Sequence, residues 1–409
     1  MVAGDRLADR IGIGVLAAVF TPEMVDRVID QAGVREQRTR TLPARVVVYY
    51  LLAMVLFFNS SYTEVWNKLV AGLDWARRFR VRLELGMQPT AAAVTYARQR
   101  LGWQVMAALM EEVAGPLAGQ DRQSAFVSGM RLAAVDGMCL DLPDTPENGA
   151  EFGYPGNDGG RGPYPQIRVV GLGECGTRAV LGAATSGLAT GEQPLARQLL
   201  AKLAPGDLLL ADRNFLSHGL LAEVLAAGVH VLWRAKSDVD LPVLQVLADG
   251  TWLSRIADPA ASRRMRRKGA DPGDIPGIAV RVIEYSVTSD DGSEVSEAFT
   301  LVTDLTDPAA LTAEQAAGAY ARRWELETCF DELETSIRGG AAVVLRSKSP
   351  PMIRQEIYAM LCCYQAIRTL ISHAADDAGL DPLRVSFTAA REAIRSRISD
   401  SGCFSPSAP

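Results

Sequence analysis

The chain has 409 residues, 48% of them hydrophobic, with a formal net charge of −6 and a pI near 5.4. That is material for one large domain, or two to three ordinary ones with real cores. Six cysteines without a CxxC pair and only three histidines argue against a zinc site and for reduced thiols.

Residues 1–125 read as helical. The segment TPEMVDRVIDQAG has Thr21 as N-cap, Pro22 at the first helical position and a stop at Gly33. The apolar run from Val46 to Phe58 has 13 residues, against the roughly 20 that a membrane span needs. It reads as the central buried helix of a domain. SYTEVWNKLVAGL is a further helix, and QPTAAAVTYARQRLG with WQVMAALMEEVAGPL a pair punctuated at Gly102. Arginines gather between these segments: Arg35, Arg38, Arg40 and Arg45, then Arg77, Arg78, Arg80 and Arg82. The acidic total argues against nucleic acid as a partner, but binding depends on local patches, and helices with arginines at their turns suit DNA. No signal-peptide pattern opens the chain, so a soluble, cytoplasmic protein is expected.

From about residue 128 the pattern changes to strands. RLAAVDGMCLDLP places a carboxylate, Asp136, inside an apolar run. Burying a carboxylate costs several kcal/mol, on the order of the effective desolvation penalty of one ion, unless a cation meets it. A stretch rich in Gly, Pro and Asn, residues 144–165, reads as a loop. QIRVVGLGE and RAVLGAATSG form a hairpin around Gly176. A helix (EQPLARQLLAKL) leads to a buried strand, GDLLLADRNF, that ends in a second carboxylate, Asp212. Another helix with Ser217 as N-cap and a strand, VHVLWRAKS, follow. Three strands, the second and third a hairpin, then helix, strand, helix and strand is the order of a ribonuclease H-like fold. Its first strand lies centrally with the fourth parallel beside it, which makes Asp136 and Asp212 neighbours.

Residues 237–307 read as a β-rich insertion, with turns at Asp249-Gly250 and Asp291-Gly292 and a basic run, SRRMRRKG, from Arg263 to Lys268. LTAEQAAGAYARRWELETCFDELETSI then reads as one long helix capped by Thr312. The spacing of Tyr320, Arg323, Glu327 and Glu334 keeps them on one face of it. Asp136, Asp212 and Glu327, from two strands and a helix, are the hard oxygen ligands that a two-metal phosphoryl-transfer site requires. Asp331 is a rival for the third position. Adjacent Cys362 and Cys363 read as small buried hydrophobes.

The segments AVDGMCLDLPDTPEN, DLLLADRNF and YARRWELETCFDELET together resemble the DDE transposases of bacterial insertion sequences, the insertion element four family, over nearly the whole chain. The last matches that family's tyrosine–arginine–glutamate–lysine signature, Y-x2-R-x3-E-x6-K, at Tyr320, Arg323 and Glu327. The expected fold is α/β: a ribonuclease H-like catalytic core with a β-rich insertion, preceded by an all-helical N-terminal domain. The expected boundaries are 1–125 for the helical domain that binds element ends, 126–236 for the first part of the core, 237–307 for the insertion, 308–400 for the C-terminal helices of the core and 401–409 for a tail.

The resemblance implies that Asp136, Asp212 and Glu327 hold two Mg²⁺ (or Mn²⁺). Water would cut a strand at the element's end, and the 3′-OH would attack target DNA. Tyr320 and Arg323 would contact DNA next to the cut, where relatives stabilise a flipped base. Further DNA contacts would come from Trp233 and Lys236 at a strand end, from Arg264, Arg266, Arg267 and Lys268, and from Arg346 and Lys348. The partners implied are double-stranded DNA (terminal inverted repeats and target) and a second copy of the chain in the DNA complex, in a nucleoid-associated bacterial setting. Glu334 departs from the family's lysine. Either Arg338 replaces that cation or catalysis is weakened, which would leave a DNA-end-binding regulator; a ribonuclease H-like nuclease without strand transfer is the other alternative.

Overall fold

The computed structural model describes residues 16, 18–37, 42–71, 89–157, 160–269, 271, 275–287, 298–340 and 343–396. Arg38, Arg40, the arginines at 77, 78, 80 and 82, the Asp291-Gly292 turn and the 401–409 tail lie outside them. The chain forms two compact units: residues 115–138 with 168–329, and residues 1–114 with 139–167 and 330–409. The reading from sequence kept 308–400 together; the contacts part it after Cys329. Among the described residues, no helix is long and apolar enough to cross a membrane.

The strands in chain order are β1 (Phe126–Val127), β2 (Met130–Asp141), β3 (Gly156–Asn157), β4 (Gly160–Arg161), β5 (Gln166–Glu174), β6 (Ala179–Gly187), β7 (Leu208–Ala211), β8 (His230–Arg234), β9 (Gln245–Val246), β10 (Trp252–Ala257), β11 (Gly277–Tyr285) and β12 (Phe299–Thr303). One sheet holds all but β3 and β4, in the order β6-β5-β2-β7-β8-β12-β11-β10-β9, with β1 hairpinned onto β2. The first five positions of that order are the ribonuclease H-like arrangement. Strand β2 is parallel to β7, and β7 to β8. The β-rich insertion prolongs this sheet: β12 pairs antiparallel with β8, and β11, β10 and β9 follow. Parallel β7 must be covered on both faces, and its residues are all buried, as its continuous Leu-Leu-Leu-Ala run requires.

The helices in chain order are α1 (Pro22–Gln31), α2 (Ala44–Leu56), α3 (Tyr62–Ala71), α4 (Ala91–Leu101), α5 (Gln104–Val113), α6 (Pro146–Phe152), α7 (Glu192–Leu199), α8 (His218–Ala226), α9 (Pro259–Arg266), α10 (Ala313–Ala321), α11 (Trp324–Asp331), α12 (Pro350–Ala378) and α13 (Phe387–Ser396). In the sheet unit, Leu195, Leu199, Leu220, Leu221 and Val224 from α7 and α8 share a core with Val135, Leu209, Val231 and Trp233. In the other unit, α2 is buried from Val46 to Leu56, as a helix apolar on every side must be. It packs with α12, where Cys362 and Cys363 are fully buried.

Two local expectations need correction. The Gly/Pro-rich stretch after β2 contains a helix, α6, because Thr145 accepts the Asn148 amide proton and Pro146 takes the first helical position. The helix expected from Thr312 onward is also not continuous. Helix α10 ends at Ala321, tight i→i−3 bonds follow at Arg323 and Leu326, and α11 passes into a π-helical turn at Glu332–Ile337. Each change of pitch rotates the residues beyond it, so the 3, 4 and 7 spacing does not define a single face from Tyr320 to Glu334.

Candidate active site

The first element is strand register. Val135 pairs with Ala211 across parallel β2 and β7, so Asp136 and Asp212 are the next residues on adjacent strands. Each spends one carboxylate oxygen on a backbone amide just beyond it. Asp136 Oδ1 accepts from the Gly137 amide at 2.8 Å, and Asp212 Oδ1 accepts from the Asn214 amide at 2.8 Å.

The second element is Arg323, at the tight turn between α10 and α11. Its Nη1 lies 3.2 Å from Asp136 Oδ2 and its Nη2 2.6 Å from Glu327 Oε1. The guanidinium therefore links the strand carboxylate to the helix carboxylate. Tyr320 backs it with its ring 5.7 Å away, and the exposed Trp324 ring lies at 5.4 Å on another side. Helix α11 is held by Arg178, whose Nε donates to Glu325 Oε2 at 2.7 Å, and by Leu326, which packs where a side chain at Gly173 would otherwise stand.

Burial pushes the Asp136 carboxyl up to about 6. The Gly137 amide and Arg323 work against that rise, and the charges of Asp212 and Glu327 add to it. Asp212 and Glu327 thus add negative charge beside Asp136, against the one guanidinium of Arg323 that touches Asp136 and Glu327. Among the described residues, no three carboxylate, histidine or cysteine groups converge on one point. Arg323 supplies, between Asp136 and Glu327, the positive charge that a divalent cation would supply. All-oxygen donors of this negative charge fit a hard cation of the Mg²⁺ type.

The other singled-out residues are dispersed. Trp233 is fully buried in the sheet core, so the expectation of a DNA contact there is corrected: the apolar strand β8 turns that ring inward. Tyr320 is buried too, edge-on to Phe299. Lys236 is exposed just beyond β8. Arg264, Arg267 and Lys268 are exposed on and after α9, where Arg266 pairs with Asp240. In the helical unit Lys348 is exposed, whereas Arg346 donates to the Met54 and Ser60 carbonyls at 2.8 and 3.0 Å and stacks over Phe58. That guanidinium is a tie inside the protein. Arg35 and Arg45 pair with Asp30 and Asp26. Glu334 pairs with the buried Arg338 at 3.2 Å, so neither is a spare surface charge.

One acidic neighbour escaped the sequence reading. Glu192, the first residue of α7, lies beside the pair: a side chain at Gly137 would meet Glu192 Oε1 2.6 Å from its Cβ. The Glu192 carboxyl is raised by burial and by the Asp212 charge. Its signal was slight, a Gly-Glu step opening a helix.

The sheet order, with two aspartates neighbouring at the paired ends of its first and fourth core strands, places the chain in the ribonuclease H-like class. Within that class, the chain belongs to the insertion element 4 family of DDE transposases. Residues 127–366 match the family described as "Transposase DDE domain", and residues 10–111 match "Insertion element 4 transposase N-terminal". It is 27% identical over 376 residues to the transposase InsG for insertion sequence element IS4 of Escherichia coli K12, covering 91% of this chain and 80% of that one. It is 29% identical over 198 residues to the putative transposase InsZ of the same organism, covering 48% of this chain and 62% of that one. A cryo-EM structure of a piggyBac transposase synaptic complex with hairpin DNA aligns over 96% of this chain and 82% of its own, at a TM-score of 0.48 and 11% identity. Membership of the family makes the chain a DNA-cleaving and DNA-transferring enzyme.

Proposed function

We propose that Asp136, Asp212 and Glu327 are the catalytic carboxylates of this transposase and together hold two Mg²⁺ (or Mn²⁺) ions. The observation that carries the reading is the Val135–Ala211 register, which makes the two aspartates neighbours, with Glu327 tied to the first through Arg323. When bound, such ions polarise the scissile phosphate and lower the pKa of an attacking water. The chain's own residues do the remaining work. The Gly137 and Asn214 amides fix one oxygen of each aspartate and so orient the other. Arg323 neutralises the cluster before DNA arrives and, once its carboxylates are otherwise engaged, offers its guanidinium to the DNA strand at the cut. Tyr320, buried behind it, sets its position.

On this reading Lys236, Arg264, Arg267, Lys268 and Lys348 meet DNA phosphates, which position the duplex without reading its sequence. The helical N-terminal residues bind the terminal inverted repeats, and two copies of the chain hold two element ends. The test is cleavage of a duplex carrying the element's ends, in Mg²⁺ and then Mn²⁺. Asp136→Asn, Asp212→Asn and Glu327→Gln should each abolish cleavage and keep end binding. Persistent cleavage in any of them removes that residue from the set. Transfer of the 3′-OH to a second duplex separates a transposase from a nuclease on the same core.

A further inference from the structure

The loop that carries Asp212 is held from outside its own strand. The turn closes on itself through the Phe215 amide, which donates to the Asp212 carbonyl at 3.2 Å, and the Asn214 amide, which donates to Asp212 Oδ1. A single side chain on a different element then grips this turn at two points. Gln193, in the first turn of α7, donates from Nε2 to the Asn214 carbonyl at 2.8 Å and accepts from the Ser217 hydroxyl at 2.7 Å. Ser217 is the N-cap of α8, accepting from the Leu220 amide at 3.4 Å. Further along, Arg197 donates from Nε to Glu223 Oε1 at 2.9 Å and joins the same two helices a second time. The neighbour of Gln193, Glu192, stands where a side chain at Gly137 would be. The first turn of α7 thus abuts strand β2 just past Asp136 and the turn that follows Asp212.

We propose that Gln193 is a positioning residue for metal-dependent cleavage. It locks the Asp212–Ser217 turn to α7, so that the Asp212 carboxylate keeps its place beside Asp136. The chemistry favours glutamine: an amide presents one donor and one acceptor from a single tip, matching one carbonyl and one hydroxyl. Glutamate would keep the acceptor but lose the donor, and asparagine would be one methylene short of the turn. Groups that orient a ligand are worth roughly 10–100-fold in metal affinity or activity when removed.

This inference rests on the reading of Asp212 as a ligand, and the experiment separates the two. Mn²⁺ binding to the full-length protein is followed by electron paramagnetic resonance, alongside end binding, melting temperature and cleavage. Gln193→Ala and Gln193→Glu should raise the Mn²⁺ concentration for half-saturation about 10-fold, with cleavage falling in step and end binding unchanged. Ser217→Thr, which keeps the hydroxyl, should behave as wild type. Ser217→Ala combined with Gln193→Ala should bind Mn²⁺ no more weakly than the worse single variant, because both remove one clamp. Unchanged half-saturation in Gln193→Ala, while Asp212→Asn loses Mn²⁺, overturns the positioning role alone. Lower melting and lower cleavage at unchanged half-saturation also overturn it, since that is a folding role. Full Mn²⁺ binding by Asp212→Asn overturns the ligand reading beneath it.

Discussion

Removing Arg323 is expected to weaken the resting protein and, at the same time, strengthen its response to divalent cations. In Arg323→Ala, Asp136 and Glu327 lose a guanidinium at 3.2 and 2.6 Å. At an effective dielectric of about 20, such contacts carry bare attractions of roughly 5–6 kcal/mol each, largely offset by the desolvation of the ions. Deleting one partner of a fully buried pair costs about 3–5 kcal/mol. Glu327 is 32% exposed and Asp136 19%, so solvent screens part of the loss. Asp136, already pushed up to about 6, relieves a further part by taking up a proton. A net loss of about 1–3 kcal/mol follows. For a unit of this size that is a fall of roughly 3–10 °C in melting temperature.

A bound cation would restore that charge, so the variant should gain more from Mn²⁺ than the wild type does. At a ligand concentration 100 times Kd the gain is about 2.7 kcal/mol. The assay is thermal melting with and without Mn²⁺ for both proteins, with cleavage measured in parallel. Cleavage should drop even though cation binding improves, because Arg323 is also assigned to the DNA strand. An equal Mn²⁺ shift in the two proteins would refute the argument that this guanidinium and a metal compete for the same carboxylates.

Trp233→Ala should cost about 3–5 kcal/mol, as for a large aromatic deleted from a core, and leave the DNA affinity of the folded fraction unchanged. A selective loss of DNA binding in a protein of normal stability would return Trp233 to the DNA surface. Glu334→Lys, which restores the family's residue type, sets a second cation against buried Arg338. It should lower stability by about 1–3 kcal/mol, less than a fully buried pair would lose, without raising cleavage; a rise in cleavage at normal melting temperature contradicts the structural role of that pair. Replacing Arg264, Arg267 and Lys268 together by alanine should cut the slope of log affinity against log salt by up to about 3 at about 0.9 per phosphate contact. An unchanged slope would take the end of α9 off the DNA.

The order of elements from β2 to β8 was readable because each carries its own local signal: the apolar run of β7, the Ser217 cap of α8, the hairpin at Gly176. Topology then made Asp136 and Asp212 neighbours, since a parallel fourth strand has only one place to lie. The Thr145 cap of α6 was equally local, but the surrounding glycines and prolines masked it. Other features lie between segments distant in sequence. Strand β8 was legible, yet whether Trp233 faces core or solvent depends on which side of the sheet is covered. No local signal marks the break before α11, and Arg323, which stands at it, meets a carboxylate 187 positions earlier in the chain. Glu334 reads as a lost lysine until Arg338 is seen buried against it. The sequence by itself determined the family, the order of the core strands and so the adjacency of Asp136 and Asp212, because local propensity and motif spacing are properties of the chain. The tertiary structure alone decided which charges are spent on one another, because an ion pair or a buried ring is settled only when distant segments meet.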